Sequence, residues 1–118
     1  MEIKAIQKEI RSEGADAWVM VDYENKNPSV AALLHHKMLT RKITLVIPAE
    51  GKPFVVAHFI DTVFLNDPAI ANDFEIRPYN TWQQMKAVIA DSLRPYPVVL
   101  MDISEDGLLP RVSLADYG

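Results

Sequence analysis

The residues with the strongest potential for chemistry lie in the segment LLHHKMLTR, from Leu33 to Arg41. It combines two adjacent histidines with cations and lies between two apolar runs, where active-site loops are common. Adjacent side chains point about 100° apart on a helix and to opposite faces of a strand, so His35 and His36 are poorly placed to hold one ion. The chain has no HExxH motif, and its remaining histidine is His58. The pattern therefore favours loop histidines over a metal site.

Acidic residues and the third histidine give two further candidate sites. His58 and Asp61 are close enough in the sequence to form a general acid–base pair, but the chain has no cysteine and no serine in a nucleophile elbow. Asp102 and the pair Glu105-Asp106 follow a predicted strand, where sheet-edge sites often lie. The local sequence SEDG is more typical of a solvated turn than of a metal-binding cluster. Neither group predicts a hydrolytic or metal centre within this chain.

Arg41 and Trp82 are candidates for binding. Arg41 precedes an apolar run and has two alternatives, an anionic ligand or an internal ion pair with Asp22 or Asp61, of which the ion pair is favoured. Trp82 stands near the start of an amphipathic helix, where a core or interface anchor is more common than a ligand-stacking role. Both side chains are therefore candidates for binding roles and not for catalytic ones.

The composition is that of one ordinary globular domain, spanning 1–118. A net charge of −4 and an isoelectric point near 5.3 argue against nucleic acid as a partner. The absence of cysteine excludes disulfides and thiolate chemistry and fits a reducing, cytoplasmic setting. No apolar run approaches the ~20 residues needed to cross a bilayer, and the isolated glycines form no phosphate-binding loop. We therefore expect a cytoplasmic domain that binds neither nucleic acid nor membranes.

Apolar spacing and turn residues predict the elements that must position these side chains. Ile3, Ile6 and Ile10 recur at helical spacing before Gly14, which predicts a first helix. Asn27-Pro28 is typical of the start of a second helix. This second helix is predicted at Ser29–Leu34. Further predicted elements are a helix at Trp82–Leu93 after a Thr81 cap, one or two helical turns within residues 59–73, and strands at Ala17–Val21, Ile43–Ile47, Phe54–His58, Phe74–Tyr79 and Val98–Asp102.

The order of these elements predicts the fold class. The second and third strands flank the turn Pro48–Pro53 and should form an antiparallel hairpin. Val98–Asp102 is continuously apolar, which predicts a central strand. Helix, strand, helix, hairpin, strand, helix and strand in succession predict an α/β domain with a mixed sheet of about five strands and helices on its faces.

Four segments together resemble the N-terminal domain of creatinase and prolidase-like peptidases, which include the Xaa-Pro dipeptidases and aminopeptidases with a pita-bread catalytic domain. They are VDYENKNPSVAALL, LTRKITLVIPAEGKPFVVAH, the Tyr-x-x-Trp of YNTW, and PRVSLADYG, and they span nearly the whole chain. The resemblance implies a mixed sheet of the ribonuclease H-like kind. The chain departs from the family's pattern at Leu34 to His36, where a glycine is frequent, and at Glu24 to Lys26, where Arg-Gly is frequent.

The same resemblance implies that the catalytic groups lie elsewhere. In full-length members a larger metallopeptidase domain follows, in which two Asp, one His and two Glu hold two divalent ions of the manganese or cobalt type. That motif set is not found in this sequence. The resemblance therefore implies a chain without a cofactor of its own, inactive alone, that belongs to a longer enzyme.

In two-domain members the N-terminal domain helps to build a homodimer, and its loops reach the active site of the neighbouring subunit. Carried onto this sequence, the loop is 35–41, and the resemblance implies that His36, Met38 and Arg41 help to close the pocket over a proline-containing dipeptide. Arg41 would meet a C-terminal carboxylate with two hydrogen bonds. Two alternatives stay open: a stand-alone binding or oligomerisation module of this fold, and the N-terminal domain of a creatinase-like amidinohydrolase.

Overall fold

The computed structural model describes residues 3–23, 26–35, 37, 41–103 and 108–113, with side chains up to residue 101. Within these residues the elements follow in the order α1 Ile3–Ser12, β1 Ala17–Asp22, α2 Pro28–Leu33, β2 Ile43–Pro48, β3 Phe54–His58, α3 Thr62–Leu65, α4 Pro68–Ala71, β4 Glu75–Tyr79, α5 Trp82–Leu93, β5 Val98–Ile103 and β6 Leu108–Ser113. The predicted alternation of helices and strands is confirmed.

The strands form one mixed sheet in the order β4-β3-β2-β1-β5-β6. β1 pairs in parallel with β5, and β3 pairs in parallel with β4. The other three pairings are antiparallel, among them the predicted β2–β3 hairpin. β1, β3, β4 and β5 therefore run in one direction, and β2 and β6 run in the other.

Helices cover both faces of this sheet. The first face packs the buried side chains of α1 to α4, such as Ile10, Leu33 and Ile70, against Leu45 and Val55 of the central strands. The second face packs α5 against the alternate residues of the same strands, and its core contains Val46, Phe54, Val56, Ile89 and Leu93. Because alternate residues of a strand face opposite ways, strands buried on both faces need the continuous apolar runs that the sequence shows.

Local sequence signals set the ends of the helices. The Asn27 side chain accepts hydrogen bonds from the N–H groups of Ser29 and Val30, and Pro28 occupies the first helical position of α2. Thr81 and Gln84 form a reciprocal capping box at the start of α5. Each of these caps satisfies main-chain donors that a helix start leaves unpaired.

The end of α1 is a Schellman motif. Gly14 has a φ of 71°, and the N–H groups of Gly14 and Ala15 donate to the carbonyls of Arg11 and Ile10. The predicted helix stop at Gly14 is confirmed, because this left-handed position favours a residue without a Cβ atom.

The predicted fold class is confirmed, and β6 is an addition to it. The segment LLPRVS pairs antiparallel with β5, so β5 lies inside the sheet, one place in from the edge. Pro110 within the segment obscures it in the sequence, but an edge strand tolerates proline because one side of its ladder is open. No helix in the described part of the chain has the length and apolar character needed to cross a bilayer.

Candidate functional site

The sequence-predicted residues that the structure describes gather at one edge of the sheet. β1, β3 and β4 end there with Asp22, His58 and Tyr79, because these strands run in the same direction. β2 runs in the opposite direction and begins there, so Arg41, two residues before β2, lies at the same edge. The carboxyl ends of parallel strands are the usual position of sites in open α/β sheets. We call this the active edge.

Loop 35–41 leaves α2 through a residue in a left-handed conformation. His35 has a φ of 57°, directly after the C-cap Leu34. The Nζ atom of Lys37 lies 2.9 Å from Oδ2 of Asp67, the residue that caps α4. This hydrogen bond from Lys37 and a second one from the Ala69 N–H lower the pKa of Asp67. His36 and Met38, two of the three predicted substrate-proximal residues, lie outside the described residues.

The third predicted residue, Arg41, is exposed at the end of the loop. Its main-chain N–H donates to Oδ2 of Asp61 over 3.0 Å. Asp61 itself is fully buried, with 0% of its surface exposed. Of the two carboxylates predicted to pair with Arg41, Asp61 thus contacts its main chain, and Asp22 accepts main-chain hydrogen bonds from Lys26 and Asn27.

Tyr79 binds the main chain of Lys42, the residue that follows Arg41. Its hydroxyl donates to the carbonyl oxygen of Lys42 over 2.6 Å. Burial raises the pKa of Tyr79 above its ordinary value of 10.0, the Asp61 carboxylate raises it further, and the Arg41 guanidinium opposes both. The hydroxyl therefore keeps its proton, and remains a donor, throughout neutral pH.

His58 is held by the main chain. The Ile60 N–H donates to Nδ1 over 3.2 Å, so the ring proton is assigned to Nε2, which lies 3.1 Å from the Asn80 carbonyl oxygen. The ring also contacts Tyr79 edge-on, with 5.4 Å between the ring centroids. An acid–base role with Asp61 would require one of these main-chain hydrogen bonds to break. His58 is thus built into the framework of the active edge.

Asp22 and Asn27 make side-chain hydrogen bonds at the two ends of the segment DYENKNP. Asp22 is 3% exposed, and its Oδ1 accepts the N–H groups of Lys26 and Asn27. The Asn27 amide donates to the Val21 carbonyl while its oxygen caps α2. Composition alone predicts a turn here, and this side-chain network shows how the turn is fixed between β1 and α2.

An exposed apolar surface flanks Asp61, the residue that contacts Arg41. Phe59, Ile60, Val63 and Phe64, which follow β3, are between 42% and 75% exposed. We call these four residues the apolar patch. Trp82 follows the neighbouring strand β4 and is 60% exposed, so its predicted core alternative is wrong, while its interface alternative stays a prediction. In the sequence, the patch is indicated by Phe59 and Phe64, two large apolar side chains on a segment too short to bury them.

Two solved structures share this architecture over most of the chain. The N-terminal domain of an Xaa-Pro dipeptidase from Lactobacillus brevis has a TM-score of 0.66 at 17% sequence identity, covering 99% of this chain and 83% of that one. The creatinase/prolidase N-terminal domain of an X-Pro dipeptidase from Streptococcus pyogenes has a TM-score of 0.63 at 11% identity, covering 85% of this chain and 74% of that one. The fold is that of a creatinase/prolidase N-terminal domain.

The creatinase/prolidase N-terminal fold confirms the resemblance that the four sequence segments indicated. No family model and no curated protein matches the sequence. At 17% and 11% identity the likeness establishes the fold, so the roles of individual residues are argued from the contacts of this chain.

The sequence offers histidines and acidic residues as candidate metal ligands. Within the described residues of this creatinase/prolidase N-terminal fold, no group of three or more His, Cys, Asp or Glu side chains is placed to hold an ion. Glu105 and Asp106 lie outside the described residues, and the side chain of Asp102 is not described either. An open cleft at the opposite edge of the sheet is lined by Lys4 and Lys52, and none of the predicted site residues borders it.

Proposed function

We propose that this chain is the non-catalytic N-terminal domain of a metal-dependent Xaa-Pro peptidase, in which it contributes to dimerisation and to closure of the substrate pocket. The observation that carries the proposal is the match in fold, over 99% of the chain, to the N-terminal domain of an Xaa-Pro dipeptidase. The four family-like sequence segments, which include the loop that ends at Arg41, support it independently.

Pocket closure is supported by the position and chemistry of Arg41. The residue is exposed at the active edge, at the end of a loop tied to α4 through Lys37. A guanidinium can bind a carboxylate through two parallel hydrogen bonds, and a dipeptide carries a free carboxylate one residue from its scissile bond. Arg41 of one subunit would therefore bind the C-terminus of a dipeptide held by the other.

Dimerisation is supported by the apolar patch. Its four side chains leave a large apolar area in contact with water, which is typical of protein interfaces. Trp82, at the same edge, is a residue type enriched at the centre of interfaces. Under this proposal a second copy of the enzyme covers the patch and places loop 35–41 beside the neighbouring pocket.

The peptidase chemistry is assigned to a second domain. The resemblance implies two divalent ions there, which would polarise the substrate carbonyl and generate the attacking hydroxide. The reading frame after Gly118 tests this assignment. A frame that continues into a domain with the metal-binding Asp, His and Glu set supports the proposal, whereas a stop codon favours the stand-alone module.

The role of Arg41 is tested in the full-length enzyme. Arg41→Ala should raise KM for an Xaa-Pro dipeptide roughly tenfold with kcat little changed, because it removes a charge-assisted contact to the ground state and transition state alike. Arg94→Ala is the matched control, since Arg94 is exposed and, among the described residues, forms a local ion pair with Asp91 at the far end of α5. Equal KM values for both variants would contradict pocket closure by Arg41.

A further inference from the structure

The main chain at Arg41 and Lys42 is held by two side chains from outside its own strand. Asp61 accepts the Arg41 N–H over 3.0 Å, and the Tyr79 hydroxyl donates to the Lys42 carbonyl over 2.6 Å. One hydrogen bond fixes the beginning of this two-residue segment, and the other fixes its end. Together they restrict the orientation of the main chain at Arg41, and with it the position of the Arg41 side chain.

The sheet itself does not hold these two residues. The pairing of β2 with β1 begins at Ile43, and its pairing with β3 begins at Thr44. Arg41 and Lys42 therefore precede both ladders, at a point where a strand entrance would ordinarily fray. The hydrogen bonds to Asp61 and from Tyr79 extend the order of the sheet to Arg41 and Lys42.

Asp61 and Tyr79 are themselves rigidly placed. The Asp61 N–H donates to the His58 carbonyl, and the Asp61 carbonyl accepts from Leu65 in α3. Tyr79 is 6% exposed, and its ring packs edge-on against His58. A buried carboxylate and a buried hydroxyl are costly unless hydrogen bonds compensate them, so both groups have a strong preference for their present contacts.

We propose that Asp61 and Tyr79 are positioning residues, which fix the main chain at Arg41 and Lys42 and so hold the Arg41 guanidinium where it meets the substrate carboxylate. This inference rests on the proposed function of Arg41. Asp61, in the segment after β3, and Tyr79, at the end of β4, would thus contribute to substrate binding without contacting the substrate.

The first test uses this 118-residue chain and needs no substrate. Tyr79→Phe keeps the ring and removes the hydroxyl, and should accelerate amide hydrogen exchange at Arg41 by about threefold to tenfold, the range expected for one net hydrogen bond. Asp61→Asn keeps an acceptor without the charge and should also accelerate exchange at Arg41, because an N–H bond to a neutral oxygen is weaker than one to a carboxylate. Tyr96→Phe, a tyrosine packed on the same α5 face near the start of β5, is the matched control. Unchanged exchange at Arg41 in Tyr79→Phe would overturn the positioning role.

The second test uses the full-length enzyme in a double-mutant cycle. Tyr79→Phe should raise KM for an Xaa-Pro dipeptide about threefold to tenfold with kcat unchanged, and should have no further effect in the Arg41→Ala background. Additive effects would indicate a general structural loss and overturn the inference. An unchanged KM in Arg41→Ala together with faster exchange in Tyr79→Phe would overturn the proposed function, and with it the substrate role of the two positioning residues.

Discussion

Thr44 and Tyr79 are two buried hydroxyls near the active edge with different surroundings. The Tyr79 hydroxyl donates to the Lys42 carbonyl. Thr44 is 1% exposed on the α5 face of β2, and its hydroxyl has no hydrogen-bond partner among the described residues. A buried hydroxyl without a partner loses its hydrogen bonds to water and gains none in return. The Tyr79 hydroxyl therefore stabilises the entrance of β2, whereas the Thr44 hydroxyl destabilises the strand.

The Thr44→Val substitution should raise the free energy of unfolding by about 1 kcal/mol, because it replaces the unpartnered hydroxyl with a methyl group of similar size in a strand. Urea denaturation of the 118-residue chain measures the change. Thr81→Val is the matched control, since it removes a hydroxyl that accepts the Gln84 N–H and caps α5, and should lower stability by about 1 kcal/mol. A loss of stability in both variants would show that Thr44 is hydrogen-bonded after all.

At the scale of elements, short local signals sufficed to predict most boundaries. The Thr81 cap, the Asn27-Pro28 start and the Gly14 stop act through contacts within a few residues, so the sequence predicts them directly. β6 depends on pairing with β5 and has weak local signals of its own. The buried Asp61 accepts a hydrogen bond from Arg41, 20 residues earlier in the chain, and a local pattern cannot reveal such a contact.

His35 shows where a departure from the family's pattern has a structural consequence. It follows the C-cap of α2 in a left-handed conformation with a φ of 57°, within the segment Leu34 to His36, where the resembled family frequently has a glycine. A residue with a Cβ atom is strained there, whereas glycine is not. The conformational preference of histidine therefore disagrees with the backbone conformation at His35, where loop 35–41 begins.

The His35→Gly substitution should raise the free energy of unfolding by roughly 0.5–1 kcal/mol, because relief of about 1–2 kcal/mol of strain exceeds the added entropy of the unfolded chain. Thermal and urea unfolding of the 118-residue chain measure the gain. His35→Ala is the matched control, since alanine keeps the Cβ atom and the strain and should give no gain. A decrease in stability for His35→Gly would mean that the His35 side chain makes contacts worth more than the strain.

At the scale of the whole molecule, the chain direction of the strands brings the site together. Arg41 is distant in the sequence from His58 and Asp61, yet β2 and β3 place the three residues at one edge because the two strands are antiparallel neighbours. Tyr79 joins them because β4 runs parallel to β3. The sequence predicts Arg41 as a candidate site residue and the fold as its scaffold, whereas the proposed positioning roles of Asp61 and Tyr79 rest on contacts that only the tertiary structure shows.

The last prediction concerns the catalytic capacity of the 118-residue chain. It should hydrolyse no Xaa-Pro dipeptide, even with added Mn²⁺ or Co²⁺, because the resembled enzymes hold their two ions with a ligand set from another domain. The described residues contain no group of three or more potential metal-ligating side chains to replace that set. Release of free proline from a dipeptide measures the activity, and the full-length enzyme under the same conditions is the positive control. Metal-dependent turnover that scales with the concentration of the pure chain would overturn the assignment of the chemistry to a second domain.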